Sequence, residues 1–393
     1  MPASTDGVVE HLFRHSAGRI TATLLRALGP ERLDLAEEAV ADALELALRT
    51  WPQTGVPENP SGWLFRAARN RALDVVRRER TLRTKLPLLA ELDHVEQTAG
   101  DDELALMFLC CHPALPVVSQ VALTLKTVGG LGVTEIASAL LTKPATVAQR
   151  LTRAKKFLQG KELGLPADDA LESRVDSVLA ILYLLFNEGY DTTTGEVAIR
   201  GELCGEAIRL GKLLLAQPRT DLPRVRALVA LMLLQASRLP ARVDADGDLL
   251  LMDEQDQSEW DTAMIAEGTR LFEAACVGDE LSAYHVEAAI ALCHSTPPTD
   301  WKQVLALYDQ LLQLRPSPVA RLNRAIALSM VDGAAAGIAE LERLDLPGYT
   351  LLPAVLGALW LKAGDPARAR AYNEAALELP CSEPQRRFLL RRL

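Results

Sequence analysis

Apolar residues recur at spacings of three and four along almost the whole chain, among abundant Ala, Leu, Glu and Arg. That period stacks them on one face of a 3.6-residue turn and predicts an all-α protein. Strand-like patterning is confined to Arg242–Leu251, which reads as a small hairpin about Asp246-Gly247. Two stretches are amphipathic in a distinctive way. In Ser61–Lys85, Leu64, Ala68, Ala72, Val75 and Val76 form an apolar stripe, with Ser61 placed to cap the N-terminus. In Val133–Leu158, a short helix over Thr134–Leu141 turns Ile136, Ala137 and Leu140 inward. A turn follows, with Thr142 as N-cap and Pro144 in the first helical turn, where its missing N–H costs nothing. The next helix buries Val147, Leu151, Ala154 and Leu158, and small Ala137 permits the close crossing of a helix-turn-helix.

Composition adds a constraint on size and class. The 393 residues are 49% hydrophobic and 24% charged, which supplies real cores and excludes disordered, collagen-like and disulfide-scaffold classes. Six cysteines without a CxxC pair suit a reducing compartment. The longest unbroken apolar run, Val178–Phe186, is too short to span a bilayer, and the first residues carry no apolar signal region. These features point to a soluble, cytoplasmic protein. The net charge of −10 argues against nucleic acid only as an average. Residues 1–162 hold 20 Lys and Arg against 19 Asp and Glu, whereas residues 163–393 hold 22 against 33.

The basic residues of the first part cluster on the two amphipathic stretches. Between Arg66 and Lys85 there are eight basic residues against Asp74 and Glu79, and Arg66, Arg69, Asn70, Arg77 and Arg80 share one helical face. Arginines beside an amide can pair with phosphates and hydrogen-bond base edges. From Lys143 to Lys161 there are six basic and no acidic residues, and Thr146, Gln149, Arg150, Arg153 and Lys156 face outward. Gln149 and Arg150 suit adenine and guanine edges in a major groove.

Acidic, Pro-marked breaks divide the chain into residues 1–86, a linker at 87–102, residues 103–162, and an acidic helical part at 163–393. Late in the chain, Gly357, Trp360, Gly364-Asp365, Ala369, Tyr372 and Ala376-Leu-Glu-Leu379 follow tetratricopeptide spacing, with Pro380 one residue early. Tyr308, Leu312, Leu314 and Pro316 fit a second half-repeat. Small residues belong where paired helices cross, and bulky ones between repeats.

The blocks Ala36-Glu-Glu-Ala-Val-Ala-Asp42, Trp51, Trp63-Leu-Phe-Arg-Ala-Ala-Arg-Asn-Arg-Ala-Leu-Asp74, Gly130-Leu-Gly-Val-Thr-Glu-Ile-Ala137 and Thr146-Val-Ala-Gln-Arg-Leu-Thr-Arg-Ala-Lys-Lys156 stand in a telling order. Together they make residues 1 to about 160 resemble a bacterial RNA polymerase sigma factor of the extracytoplasmic-function type. The acidic extension resembles the subgroup whose sigma core carries its own C-terminal domain. The resemblance implies two partners, core RNA polymerase (through its β and β′ subunits) and promoter DNA. It implies that Glu37, Glu38, Ala39, Asp42 and Leu46 dock on the β′ clamp helices, and that the basic helix captures the non-template strand of the −10 element. It further implies that the helix-turn-helix reads the −35 element and that the linker threads the RNA path. Ala148 and Gln149 depart from the family's basic residue followed by serine, so base readout does not transfer from other members. The short linker excludes the extra middle domain of housekeeping sigma factors.

Catalytic signatures are weak. His285-Val-Glu287 lacks a following P-C-x-x-C, Cys110-Cys111-His112 point in different directions on a helix, and Asp244, Asp246 and Asp248 lack the bidentate Glu of a calcium loop. No phosphate-binding, dinucleotide or nucleophile-elbow motif occurs. Asn187-Glu-Gly-Tyr190 reads as a helix end. The expectation is a non-enzymatic protein without cofactor or metal, whose C-terminal part binds a regulatory protein, the polymerase or the chain's own basic helices. The competing readings are a helix-turn-helix regulator with a helical sensor domain, and a helical scaffold or enzyme that binds RNA or an acidic protein.

Overall fold

A computed structural model describes residues 5–79, 86–90, 99–140, 142–191, 199–244 and 247–393, with side chains from Ser16 onward apart from those of Ala90, Ala99, Ser138 and Ala139. The fold is all-α, as the periodicity predicts. Among the described residues the only β feature is an antiparallel bridge, Val243 to Leu249, supported by Leu250 N donating to Arg242 O. The chain divides into two compact units, Met1–Leu184 and Leu185–Leu393.

In the first unit, α1 (Thr5–Leu28) is the central helix and is buried almost all round from Ala17 to Leu28. Gly29, at φ +90°, and Pro30 end it. Helix α2 (Leu33–Thr54) buries Leu33, Ala36, Ala39, Val40, Ala43, Leu44, Ala47 and Trp51, a helical stripe so rich in alanine that neighbouring backbones come close. Helix α3 (Pro60–Arg78) buries Leu64, Ala68, Ala72, Leu73 and Val76; Leu73, not Val75, completes the stripe. Its cap also differs from the expectation at Ser61. Asn59 Oδ1 accepts from Gly62 N at 2.8 Å, because Pro60 takes the first helical position, where no donor is needed. Short α4 (Leu86–Ala90) is followed by α5 (Ala99–Cys110) and α6 (Val117–Thr127), both buried on most sides. Helices α7 (Val133–Ala139) and α8 (Pro144–Leu158) pack on each other and on α6, giving the expected helix-turn-helix. Helix α9 (Asp168–Tyr190) ends at Tyr190, where the sequence places a helix end.

The second unit is organised around α11. Helix α10 (Gly201–Ala216) packs on α11 (Pro223–Ala236), which is buried on every side and contacts both α12 (Thr262–Ala275) and α13 (Ala283–Ser295). Then α14 (Trp301–Leu314), α15 (Pro318–Asp332), α16 (Ala334–Leu341), α17 (Leu351–Lys362), α18 (Pro366–Leu377) and α19 (Glu383–Leu390) each pack on the preceding helix. Side-chain caps set their starts: Asp261, Asp300, Ser317, Asp365 and Ser382 each accept from amides of the following turn. One core cluster joins α13, α14 and α15 through Val286, Ile290, Val304, Leu311, Ala320 and Ala327, and a second joins α15 to α17 through Leu322, Ile338, Leu341 and Leu356.

The small residues of the repeat-like segment sit at its helix crossing. A Cβ on Gly357 would lie 2.4 Å from Asn373 Oδ1 and 3.1 Å from Ala369 O. Asn373 is buried and donates to Arg392 O, so it has little room to retreat. Gly357→Ala is therefore expected to destabilise the protein by about 1–3 kcal/mol, read as a lowered urea midpoint. A change within about 0.5 kcal/mol would mean that the two helices are not in tight contact.

Candidate nucleic-acid interface

Helix α8 turns its buried stripe, Val147, Leu151, Ala154 and Leu158, toward α6 and α7. Its start lacks the side-chain cap expected from Thr142: Lys143 occupies the cap position, and Thr142 N instead donates to Ala137 O to close the turn. At the head of α7, Glu135 Oε2 accepts from Gly132 N at 2.6 Å. Of the five outward residues, Gln149, Arg153 and Lys156 are exposed, while Thr146 and Arg150 are half-buried. Among the described residues Arg150, Arg153 and Lys156 form no salt bridge, which leaves their charge for an outside anion.

On α3, Arg66, Asn70 and Arg77 are exposed and Arg69 is half-buried; Arg80 lies outside the described residues. Arg77 makes only a long pair with Asp74, 3.5 Å within the same helix, worth little in solvent. Trp63 packs edge-on against buried Trp51 at 5.3 Å between ring centres, which anchors the head of α3 on α2. Arg71, pointing away from that basic face, bonds Asp42 and lies 3.6 Å from Glu38. Its hydrogen bond to Asp42, then the charge attraction, raises the guanidinium above its ordinary range.

The acidic face of α2 is thus already engaged within the chain. Glu37 Oε1 accepts from Thr127 at 2.9 Å, and Glu37 Oε2 accepts from Lys155 Nζ at 2.7 Å. Lys155 also donates to Asp34 at 2.5 Å. Of the residues assigned to polymerase docking, Glu37 is paired with Lys155, and Glu38 and Asp42 with Arg71. Ala39 is fully buried and Leu46 half-buried. Beside them runs a groove of about 250 Å³ between α2 and α3, lined by Asp42, Glu45, Leu46, Arg49, Ala67 and Arg71.

The motifs set aside in the sequence have structural partners. Cys111 meets Thr124 at 3.4 Å while His112 packs edge-on against Phe157, and burial pushes the Cys111 thiol up to about 12. His285 completes the cap of α13 with Ser282, and Glu287 pairs with Arg315. Asp248 is held by Arg387 of α19 and by Arg391 just beyond it, and Asp244 lies 3.8 Å from Arg391, so these two carboxylates are engaged with the end of the chain, while Asp246 lies outside the described residues. At the end of α9, burial pushes Glu188 up to about 7, against the opposing pull of Arg200. Asp191 is also raised by burial, opposed by Arg242 and a hydrogen bond with Gln385.

The three-helix core, the turn and the basic face of α8 define a helix-turn-helix domain. Residues 105–158, from α5 to the end of α8, match the family model for sigma-70, region 4. Residues 174–276 match a family of unknown function, DUF6596. The chain is 38% identical over 377 residues to an uncharacterized protein of Rhizobium meliloti (strain 1021), covering 91% of this chain and 89% of that one, and it belongs to that protein's family. No helix among the described residues is long and apolar enough to cross a membrane.

The raised pKa of Glu188 has a definite sign in stability. The folded state favours the neutral acid, so stability falls as pH rises from about 4.5 to about 7 and stays at its lower level above that. Glu188→Gln removes this loss. Its melting temperature is expected to match the wild type near pH 4.5 and to exceed it at pH 8, measured by thermal scans. A constant difference across that range would refute the assignment.

Proposed function

We propose that this chain is an RNA polymerase sigma factor of the extracytoplasmic-function type, cytoplasmic and non-enzymatic, which directs promoter recognition, DNA melting and transcription initiation. Residues 103–162 read the −35 element through Thr146, Gln149, Arg150, Arg153 and Lys156. Residues 1–86 hold the −10 strand through Arg66, Arg69, Asn70, Arg77 and Arg80. They dock on core polymerase, its β and β′ subunits, through Glu37, Glu38, Asp42 and Leu46, with Ala39 supporting that face from beneath. The acidic segment 87–102 links the two parts, and the tetratricopeptide-like residues 163–393 modulate activity.

One observation carries this reading: α8, inside a segment that matches sigma-70 region 4, presents an amide and three cations on the face opposite its buried stripe. A recognition helix needs such a face, with bidentate donors for base edges and cations for phosphates. The basic face of α3 supports the sigma reading over a simple regulator, which needs only the helix-turn-helix. The groove between α2 and α3 offers a docking surface, and the Gly357 crossing supports the repeat-like reading of the C-terminal part.

Run-off transcription with sigma-free core polymerase and a genomic promoter pool tests the reading. The expected result is discrete transcripts that depend on this chain. Neither transcript nor core binding would sink it, and specific DNA binding alone would favour a regulator. On the promoter so found, Arg150→Ala is expected to cost about 1–3 kcal/mol and to relax discrimination at one −35 base pair. Lys156→Ala is expected to weaken binding to all sequences and reduce the salt slope by about one. Equal losses for Arg150→Ala on matched and mismatched sites would make that residue a phosphate contact only.

A further inference from the structure

Helix α8 carries three stripes rather than two. At about 100° per residue, Val147, Leu151, Ala154 and Leu158 form the buried one, and Gln149, Arg150, Arg153 and Lys156 the basic one. Ala148, Thr152, Lys155 and Gln159 form a third, separate from both. This third stripe faces the start of α2 and the Pro30–Arg32 turn across a cleft of about 470 Å³. Lys155 bridges the cleft. Its side chain is only 19% exposed and that of Glu37 only 14%, so this is no solvent-exposed surface pair. Burial alone would lower the Lys155 pKa, yet Glu37 and Asp34 outweigh it and hold the ammonium above its ordinary range. Thr127, at the end of α6, takes the remaining oxygen of Glu37.

We propose that Lys155, Thr127, Asp34 and Glu37 form an intrachain clasp that closes the sigma-type unit, and that core polymerase must displace Lys155 to reach the acidic face of α2. The inference rests on the sigma reading for its partner, but not for the clasp itself. Both oxygens of Glu37 are bonded by the chain's own donors and the side chain is only 14% exposed, so a basic group of a partner reaches it closely only when Lys155 moves aside. Of the basic stripe, Gln149, Arg150 and Arg153 lie outside this cleft and Lys156 also lines it, so the clasp stands against polymerase docking while leaving most of that stripe open.

The clasp then acts as a conformational toll on docking, because apparent affinity falls in proportion to the open fraction. The test uses the full chain carrying Lys155→Glu, which repels both carboxylates, and Lys155→Met, which keeps most of the aliphatic stem but loses the charge. Far-UV circular dichroism checks that each variant is folded. Small-angle X-ray scattering reads the size of the free chain, and titration against sigma-free core reads affinity. Both variants are expected to enlarge the radius of gyration and to tighten core binding by on the order of tenfold. A folded variant with wild-type size, or with wild-type core affinity, overturns the proposal. Should wild type and variants alike fail to bind core while the variants expand, the sigma reading fails and the closing role of Lys155 stands. Should the wild type direct transcription while the variants keep its size and affinity, the sigma reading survives and the clasp does not.

Discussion

Close approach of helices through alanine and glycine is the constraint on which both units depend. Aromatic residues make up only 5% of the chain, so large rings cannot fill wide gaps between helices. The gaps are narrow instead. Ala36, Ala39, Ala43 and Ala47 let α2 lie against its neighbours, and a Cβ on Gly18 would lie 2.2 Å from Val128 O, so α1 nearly touches the end of α6. Gly211 meets Val229, Gly268 meets Leu234 and Gly337 meets Ser329 in the same way in the second unit. Such interfaces tolerate little added volume, because interiors are packed as densely as organic crystals.

Electrostatics in the first unit follows from that packing. Helices pressed together through small residues bring their flanking long side chains into range of one another. Arg71 reaches Glu38 and Asp42 across the α2–α3 contact, and Lys155 reaches Asp34 and Glu37 from α8. The near-zero net charge of residues 1–162 therefore does not describe an evenly mixed surface. The acidic side of α2 is met by cations from other helices, while Arg150, Arg153 and Lys156 of α8 form no salt bridge among the described residues.

Much of the fold was legible because it is written in local periodicity. The all-α class, the helix-turn-helix of α7 and α8 with its buried Ile136, Ala137, Val147 and Leu158, and the helix end at Tyr190 all follow from spacing within a few residues. Cap positions were off by one or two residues where two candidates competed: Asn59 over Ser61, because proline at position 60 sets the first turn, and Lys143 over Thr142, whose amide closes the preceding turn. Arg71 carried a visible sign, since it falls off the face shared by Arg66, Asn70 and Arg77. The bonds from Lys155 and Thr127 to Glu37 carried none, because their partners lie 118 and 90 residues away and no local period encodes them.

Three stripes on one fifteen-residue helix also give a physical place to the chain's departure from the sigma pattern. Where that pattern has a basic residue followed by serine, this chain has Ala148 and Gln149, and the two positions fall on different stripes. Gln149 is exposed among the basic residues of α8. Ala148 lines the cleft toward α2, four residues before Thr152 and seven before Lys155, so its small size bears on how closely α8 meets the Pro30–Arg32 turn. Neighbouring positions of α8 thus answer to different surroundings, 149 facing outward and 148 facing the chain's own cleft.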